Sequence, residues 1–369
     1  MKNLTLLIKP ASSLCNMRCK YCFYADVSNA RTVKSYGLMS ESMLELIVRK
    51  ALEEATETCQ IGFQGGEPTL AGLGFYKKLI EFEKIFNKNG VTISHTFQTN
   101  GLLIDDEWAS FFAENHFLVG LSIDATKSIH DAMRVDSADK GTHGRCLKAA
   151  RLLEKHDVDF NILSVVTHKF ASDPEKVYRF YKDKDYRYIQ FIPCLDSFNE
   201  ECGQASYSLN AEDYGKFLCA IFDLWYEDLN QRNYYSIRMF NNYINILAGF
   251  APENCAMNGM CTAYALIESN GNVYPCDFYA VDEFLLGNVA SASFEEMLNG
   301  EKAKEFVDMS RKVDPKCRMC VYYYLCRGGC RRDRNKVIGK ELGLNRYCEA
   351  YKKLFDHSLP RMKKITQRG

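Results

Sequence analysis

The stretch Cys15-Asn16-Met17-Arg18-Cys19-Lys20-Tyr21-Cys22 places three cysteines in one tight loop, directly after a short apolar run at residues 4–8. With this C-x3-C-x2-C spacing, three thiolates can each bind one iron of a cubane [4Fe–4S] cluster. The fourth iron then has no protein ligand and is open to a small molecule. The loop therefore predicts a cluster with an open coordination site.

A zinc site or a redox dithiol is the usual explanation of a lone C-x2-C pair. A zinc site normally has its other ligands in a second Cys/His pair close by. Here the next cysteine, Cys59, stands alone ahead of a predicted strand. We therefore favour the iron–sulfur interpretation.

Outward from this loop, strands and helices alternate up to about residue 195. Short apolar runs rich in β-branched and aromatic residues predict buried parallel strands at 4–8, 59–63, 91–97, 117–123, 160–166 and 188–192. Helical periodicity predicts intervening helices at 41–55, 75–88, 106–115, 145–156 and 174–184. Six such units imply right-handed crossovers, and we expect an α/β fold in which the sheet curls into a partial (β/α)6 barrel.

Each informative motif follows one of these strands. Gln64-Gly65-Gly66-Glu67-Pro68 follows the second strand, Gln98-Thr99-Asn100-Gly101 the third, and Ser122-Ile123-Asp124 ends the fourth. Active sites of parallel sheets lie at the carboxyl ends of the strands. We therefore expect these motifs to meet the cysteine loop at one edge of the sheet.

The composition limits the class of partner. The chain has 369 residues, 47% of them hydrophobic, and its 47 basic and 47 acidic residues cancel. This balance suggests neither nucleic acid nor membrane as a partner, and the N-terminal apolar run is too short for a signal peptide or a membrane span. We expect a cytoplasmic protein, in which the 16 cysteines stay reduced rather than forming disulfides.

Eight cysteines follow residue 250, at positions 255, 261, 276, 317, 320, 326, 330 and 348. Eight thiolates divide into two sites of four, which can be two zinc sites or two fully ligated [4Fe–4S] clusters. The N-terminal motif favours iron–sulfur, because a reductive enzyme benefits from an internal electron acceptor. Five further cysteines are interpreted as small buried hydrophobes: Cys59, Cys146, Cys194, Cys202 and Cys219.

We predict three parts of the chain: a barrel at 1–195, a bridging segment at 196–250 with an aromatic-rich helix at 214–229, and a cysteine-rich domain at 251–369. Helical or strand periodicity is weak in the third part. We therefore expect bound metal to organise it.

The cysteine loop, the aromatic Tyr21 and the GGEP run together resemble the radical S-adenosylmethionine (SAM) enzymes. In that family the open iron chelates SAM, and one electron cleaves it to methionine and a 5′-deoxyadenosyl radical. The resemblance implies that Cys15, Cys19 and Cys22 ligate this cluster. It also implies a set of SAM contacts, namely Tyr21, Gly65, Gly66, Ser122, Arg134 and Leu195.

The later cysteines resemble the SPASM extension of peptide-modifying members. Cys276-Asp277-Phe278-Tyr279 and the run from Cys326 to Arg332 look like those of anaerobic sulfatase-maturating enzymes. The resemblance implies three [4Fe–4S] clusters in all. One auxiliary cluster would be held by Cys255, Cys261, Cys276 and Cys330, and the other by Cys317, Cys320, Cys326 and Cys348. Spacing alone leaves this partition open, because Cys330 lies nearer the second group.

The resemblance further implies an oxygen-independent oxidation of a Cys or Ser in a CxPxR-type sulfatase motif to Cα-formylglycine. The radical would take a Cβ hydrogen from an unfolded sulfatase polypeptide, and Asp277 would act as the base. Tyr24 and Gln64 would orient the peptide. The electron donor would be a protein such as flavodoxin or ferredoxin.

Two other functions fit parts of the pattern. A SPASM maturase that crosslinks or epimerises a ribosomally made peptide often has a leader-binding domain, and we expect none because only 14 residues precede Cys15. A non-catalytic ferredoxin-like or zinc-ribbon protein would not need six βα units or a GGEP loop.

Overall fold

The computed structural model describes residues 1–198, 203–334 and 342–367. Its single sheet contains these strands: β1 (Asn3–Lys9), β2 (Thr58–Phe63), β3 (Thr92–Thr99), β4 (Phe117–Ser122), β5 (Phe160–Val166), β6 (Tyr188–Pro193), β7 (Ser236–Ile237), β8 (Ala265–Glu268), β9 (Asn272–Tyr274) and β10 (Gly287–Asn288). Their order across the sheet is β10-β9-β8-β1-β2-β3-β4-β5-β6-β7.

The helices surround this sheet. They are α1 (Phe23–Asn29), α2 (Glu41–Glu54), α3 (Leu73–Phe86), α4 (Asp106–Glu114), α5 (Lys127–Met133), α6 (His143–Lys155), α7 (His168–Ala171), α8 (Pro174–Asp183), α9 (Ala211–Asn230), α10 (Arg238–Leu247), α11 (Phe294–Asn299), α12 (Glu301–Ser310), α13 (Pro315–Arg318), α14 (Tyr323–Cys326) and α15 (Cys348–Thr366). Short 3-10 turns join several of them.

The six predicted parallel strands are confirmed, in sequential order from β1 to β6. Sequential neighbours are what a βα repeat with right-handed crossovers produces, so the fold is the partial barrel with a C-terminal cysteine-rich extension. Helix α2 shows why the periodicity could be read: the Ser40 side chain accepts from the Met43 amide, and the apolar positions form one buried stripe. The five predicted helices of this part and the helix at 214–229 correspond to α2, α3, α4, α6, α8 and α9, within a few residues at each end.

An aromatic core fills the space between β2, β3 and the helices outside them. The Phe97 ring lies within 6.4 Å, centroid to centroid, of five other rings, which belong to Phe63, Tyr76, Trp108, Phe112 and Phe117. Each of these pairs is tilted or edge-to-face, as aromatic side chains prefer. This core fixes the strands whose carboxyl ends carry the loops described below.

The part after residue 250, where periodicity in the sequence is weak, nevertheless contains regular strands and helices. Strand β8 pairs in parallel with β1 and continues the barrel sheet, and the 19-residue helix α15 packs along α9. Gly215 permits this approach, because a Cβ there would lie 3.1 Å from the Cα of Ala350. The strands were missed because β8 to β10 have only two to four residues each, too few to show a period.

The division at 195 and 250 stays a prediction, although main-chain pairing between β1 and β8 crosses it. Among the described residues, no helix is both long and apolar enough to cross a membrane.

Candidate active site

The loops at the carboxyl ends of β1 to β4 carry the predicted motifs. The three-cysteine loop is fastened to the segment after α5: the Arg18 amide donates to the Val135 carbonyl (2.8 Å), and the Lys20 amide donates to the Met133 carbonyl (2.9 Å). Within the loop, the Cys22 amide donates to the Cys19 carbonyl. Backbone contacts thus hold the loop in place independently of its sulfur atoms.

Hydrogen-bond donors face the loop's sulfurs. The Met17 amide lies 3.4 Å from the Cys15 Sγ, the Asn100 Nδ2 lies 3.9 Å from the same atom, and Arg134 Nη1 lies 4.0 Å from the Cys19 Sγ. Burial raises the pKa of Cys19 to about 11, so a bound cation is needed to keep this group ionised at neutral pH. Donors around thiolates tune an iron–sulfur cluster, which is the environment that the predicted cluster requires.

Gly65 and Gly66 begin the loop after β2 with positive φ angles of 86° and 58°. A Cβ at Gly66 would lie 2.3 Å from the Leu14 carbonyl oxygen, and one at Gly65 would lie 2.5 Å from the Cε of Lys9. We expected these glycines to admit a ligand. The structure adds a second reason for them, since the loop also passes directly against the protein's own chain.

Glu67 ties this loop to the next one. Its Oε1 accepts from the Thr69 amide and from the hydroxyls of Thr69 and Thr99, and its Oε2 accepts from the Asn100 amide (2.8 Å). Burial raises its pKa, and these hydrogen bonds oppose that shift. The Glu67 carboxylate therefore joins the loops after β2 and β3 through hydrogen bonds.

Arg134, expected to contact SAM, forms an ion pair within the protein. Its Nε donates to Asp124 Oδ2 (3.1 Å), and its guanidinium carbon lies 5.5 Å from the centroid of the Tyr21 ring. The Tyr21 hydroxyl also donates to Asp124, whose other oxygen accepts from the Val165 amide. Tyr21 and Arg134 are thus brought together beside the cysteine loop.

Two other expected SAM contacts lie at or just beyond the ends of β4 and β6, with β5 between these strands. Ser122 is the buried last residue of β4. Leu195 is half-buried and lies two residues beyond the end of β6. Both positions are at the carboxyl edge of the sheet, as expected of ligand contacts in a parallel sheet.

Asp277 is buried, and three side-chain O–H or N–H groups donate to its carboxylate, while the Cys276 Sγ lies 3.5 Å from Oδ1. The Tyr264 hydroxyl donates to Oδ1 (2.7 Å), while Gln64 Nε2 (2.9 Å) and the Tyr24 hydroxyl (3.3 Å) donate to Oδ2. Gln64 also donates to the Tyr24 oxygen. The carboxylate raises the pKa of both tyrosines, in addition to the larger effect of burial, so both hydroxyls stay protonated and can donate.

The later cysteines form two groups in space. Cys330 lies with Cys276, Cys261 and Cys255, close enough for their thiolate charges to raise one another's pKa in addition to burial. The other four line one cavity beside α15: Cys317, Cys320, Cys326 and Cys348. The two groups have the same members as the partition that the resemblance implied, and the assignment of each group to one cluster stays a prediction.

The donor sets fit iron–sulfur clusters. Among the residues described, no three His, Cys, Asp or Glu side chains converge on a point that would bind a single metal ion. A cubane cluster does not require such convergence, because each thiolate binds a different iron at a corner of the cube. Three cysteines in one loop and four around one cavity have the ligand numbers that an open and a fully ligated cluster need.

The scattered cysteines are only partly as expected. Cys59, Cys146 and Cys194 are buried, whereas Cys219 is half-buried, with its Sγ 3.7 Å from the Lys353 carbonyl. Cys219 is less buried than expected because it lies on α9 at the edge of the contact with α15. Cys202 lies outside the described residues.

Sequence reasoning missed two polar partners of the site. Asp124 stood inside a motif at a strand end, so its position was a usable signal. Tyr264 has no such signal, because it reaches Asp277 only through the fold of the loop between Cys261 and β8.

Comparison with known proteins is consistent with this geometry. Residues 10–181 match the Radical SAM superfamily, and residues 255–321 match the SPASM iron–sulfur cluster-binding domain. A cysteine-type anaerobic sulfatase-maturating enzyme from Clostridium novyi is 43% identical over 367 residues, which cover 100% of this chain and 98% of that protein. The cysteine-type enzyme from Clostridium perfringens is 46% identical over 362 residues, 98% of both chains. A serine-type enzyme from Bacteroides thetaiotaomicron is 33% identical and covers 98% of this chain and 91% of its own.

Solved structures agree. Native anSMEcpe with bound AdoMet and Cp18Cys peptide has a TM-score of 0.95 at 46% identity, and the match covers 99% of both chains. SuiB of Streptococcus suis bound to its precursor peptide SuiA has a TM-score of 0.66 at 16% identity, covering 94% of this chain and 76% of that one; this likeness shows the fold alone. The identity over the whole length, together with both domain matches, shows that this chain belongs to the anaerobic sulfatase-maturating enzymes of the radical SAM superfamily.

Proposed function

We propose that this enzyme oxidises a cysteine of an unfolded sulfatase polypeptide, within a CxPxR-type motif, to Cα-formylglycine without oxygen. The observation that carries the proposal is Asp277, a buried carboxylate directly after the proposed cluster ligand Cys276, with three donors fixing both of its oxygens. Cysteine is favoured over serine as substrate because the relatives at 43% and 46% identity are cysteine-type, while the serine-type relative is 33% identical.

The residues present would hold the cofactors as follows. Cys15, Cys19 and Cys22 would bind the first cluster, and each spatial group of four later cysteines would bind an auxiliary one. SAM would lie against Gly65 and Gly66, with the remaining contacts from Tyr21, Ser122, Arg134 and Leu195. When bound, these cofactors supply a 5′-deoxyadenosyl radical that takes a Cβ hydrogen, and an acceptor for the remaining electron.

The chain itself must position the peptide and move a proton. Asp277 would accept the proton of the substrate thiol through an oxygen that already faces Tyr24 and Gln64. Both of these side chains are half-buried, so they have exposed surface with which to contact a peptide. Fixing the reacting groups in this way lowers the entropic part of the barrier.

The electron donor and the cellular location are part of the proposal. An acidic one-electron carrier such as flavodoxin or ferredoxin would reduce the first cluster. A cytoplasmic location is supported by the 16 cysteines, which a reducing compartment keeps available for iron. We propose no role in binding nucleic acid or membranes, because positive and negative charges are equal in number.

The alternative function, crosslinking or epimerisation of a ribosomally made peptide, has less support. SuiB, whose solved structure contains a precursor peptide, shares the fold at only 16% identity. The whole-length relatives at 43% and 46% are sulfatase-maturating enzymes.

The test is an anaerobic incubation of the iron-loaded enzyme with SAM, a reductant and a peptide that contains Cys-x-Pro-x-Arg. The oxidation first gives a thioaldehyde, which water hydrolyses to the aldehyde with release of sulfide, so mass spectrometry should show the thiol replaced by an aldehyde, with one 5′-deoxyadenosine and one sulfide per product. A peptide with Ala in place of the Cys is the control. A product that is two hydrogens lighter, retains its sulfur and does not hydrolyse to the aldehyde would instead support the maturase function, as would solvent deuterium at Cα without a change of side chain.

A further inference from the structure

Lys9, the last residue of β1, is completely buried next to the proposed base. Its ammonium forms an ion pair with Glu268 of β8, and the two residues are 259 positions apart in the sequence. A lysine is almost never fully buried unless it is paired. Burial lowers the pKa of Lys9, and the Glu268 carboxylate opposes that shift.

The same side chain contacts two parts of the site. Its Nζ lies 5.2 Å from the centroid of the Tyr24 ring, within the range of a cation–π contact. Its methylene chain lies directly against Gly65, where a Cβ would come within 2.5 Å of Cε and 2.7 Å of Cγ. Lys9 therefore contacts both the proposed SAM loop, at Gly65, and Tyr24, which donates to Asp277.

These two contacts are linked through Gln64. Gln64 precedes Gly65 in the chain and donates to both Tyr24 and Asp277. A shift of the Gly65 loop would therefore move one donor to Asp277, and a shift of the Tyr24 ring would move another. The unbranched side chain of Lys9 separates the Gly65 loop from the Tyr24 ring and contacts each of them.

We propose that Lys9 is a positioning residue for the reaction, holding the Tyr24 ring and the Gly65 loop so that the proposed base reaches the substrate thiol while the proposed SAM site faces the adjacent Cβ. This inference rests on the proposed role of Asp277. Lys9 itself touches neither reacting atom. Its loss should separate radical formation from product formation rather than abolish either.

Arg31 supplies a matched control. It is also buried, and its Nη1 donates to the same oxygen of Glu268. Its guanidinium otherwise faces the Lys34 carbonyl (3.0 Å) and the Tyr36 ring (5.4 Å), not Tyr24 or Gly65. Arg31→Met and Lys9→Met therefore each remove one cationic partner of Glu268, but only the second removes support from the site.

The experiment compares Lys9→Met, Lys9→Arg and Arg31→Met in the iron-loaded enzyme, with measurements of iron content, thermal midpoint, peptide KM, and 5′-deoxyadenosine formed per formylglycine. Both Met variants should lower the thermal midpoint, because each weakens a buried ion-pair cluster. In Lys9→Met the deoxyadenosine-to-product ratio should rise about tenfold, the equivalent of one cation–π contact. Lys9→Arg preserves the charge opposite Glu268 and thus the fold, but its larger head group should raise the ratio too. Arg31→Met should keep the wild-type ratio.

A wild-type ratio in either folded Lys9 variant, or an equal rise in Arg31→Met, would overturn the proposal. Loss of iron from both Lys9 variants but not from Arg31→Met would also overturn it, because Lys9 would then serve folding alone. Asp277→Asn is assayed in parallel. A wild-type yield of formylglycine from Asp277→Asn would refute the role of Asp277 as base, whatever the Lys9 variants do. Loss of formylglycine in Asp277→Asn, together with a wild-type deoxyadenosine-to-product ratio in the Lys9 variants, would refute only the role of Lys9.

Discussion

Replacing Asp277 by Asn removes the proposed base while nearly preserving its shape. The carboxylate accepts three hydrogen bonds, from Tyr264, Gln64 and Tyr24. An amide would place an NH2 group opposite one of these donors. Rotation of a tyrosine hydroxyl or a flip of the Gln64 amide can relieve that contact, so we expect a stability loss of about 1–2 kcal/mol.

The effect on rate should be larger than the effect on stability. A general base typically contributes about 10²–10⁴-fold, or about 3–5 kcal/mol at 1.36 kcal/mol per factor of ten. Formylglycine formation should fall by that factor. Hydrogen abstraction needs only bound SAM and a positioned peptide, so 5′-deoxyadenosine should still form and should still gain deuterium from a Cβ-deuterated peptide.

Tyr264→Phe is the control for this prediction. It removes one hydrogen bond to Asp277 but keeps the carboxylate, so we expect product formation within about tenfold of wild type. The assay is anaerobic single-turnover mass spectrometry with parallel quantification of deoxyadenosine. Near-normal formylglycine from Asp277→Asn would refute the base assignment, and an equal loss of deoxyadenosine would show that the residue serves binding or structure instead.

Three further predictions concern the cluster loop, a glycine and a buried histidine. Replacing all three cysteines of the loop after β1 by Ala should abolish SAM cleavage yet leave about eight irons per chain, four in each auxiliary cluster; deoxyadenosine production by this variant would show that the loop was misassigned. Gly66 has a positive φ, and a Cβ there would lie 2.3 Å from the Leu14 carbonyl oxygen, so Gly66→Ala should lower the free energy of unfolding by more than about 2 kcal/mol. The control is Gly74→Ala, whose Cβ would have no neighbouring atom within 4 Å and which should leave the thermal midpoint unchanged or raised. Burial lowers the pKa of His130 to about 2, so below about pH 6.5 the unfolded chain gains a proton at this residue and the folded chain does not. The free energy of unfolding should therefore fall by up to about 1.4 kcal/mol per pH unit there. His130→Gln should flatten this slope in thermal scans from pH 7.5 to 5.5, and an unchanged slope would show that His130 is not its source.

The barrel was predictable because its strands are long apolar runs separated by helices with a clear period. All six strands appear within two residues of their expected bounds. The extension was not predictable in the same way, because β8 acquires its role by pairing with β1, more than 250 residues earlier. Helix α15 has buried positions such as Tyr351, Leu354 and Phe355, but the charged residues between them and an internal proline at 360 obscured the pattern.

In the candidate site, local motifs were visible and long-range partners were not. The cysteine loop, the paired glycines and Asp277 each stand in short recognisable stretches. Tyr264 approaches Asp277, 13 positions away, through a fold of the loop before β8, and Lys9 lies opposite Glu268 on the neighbouring strand. Neither contact has a periodic or spacing signal, since the first depends on the path of a loop and the second on the pairing of β1 with β8.

The sequence alone determined the chemistry that the chain can hold, because three cysteines within eight residues must lie together in any fold. It also determined the parallel barrel, since burial on both faces of a strand demands continuous apolar runs. The tertiary structure alone brings Cys330 beside Cys276 rather than beside its neighbour Cys326, which is the arrangement that the proposed division of the eight later cysteines needs. It also decided that Tyr24 and Gln64 face Asp277 and that a buried lysine supports them, because these contacts join residues more than 200 positions apart that only the folded sheet brings together.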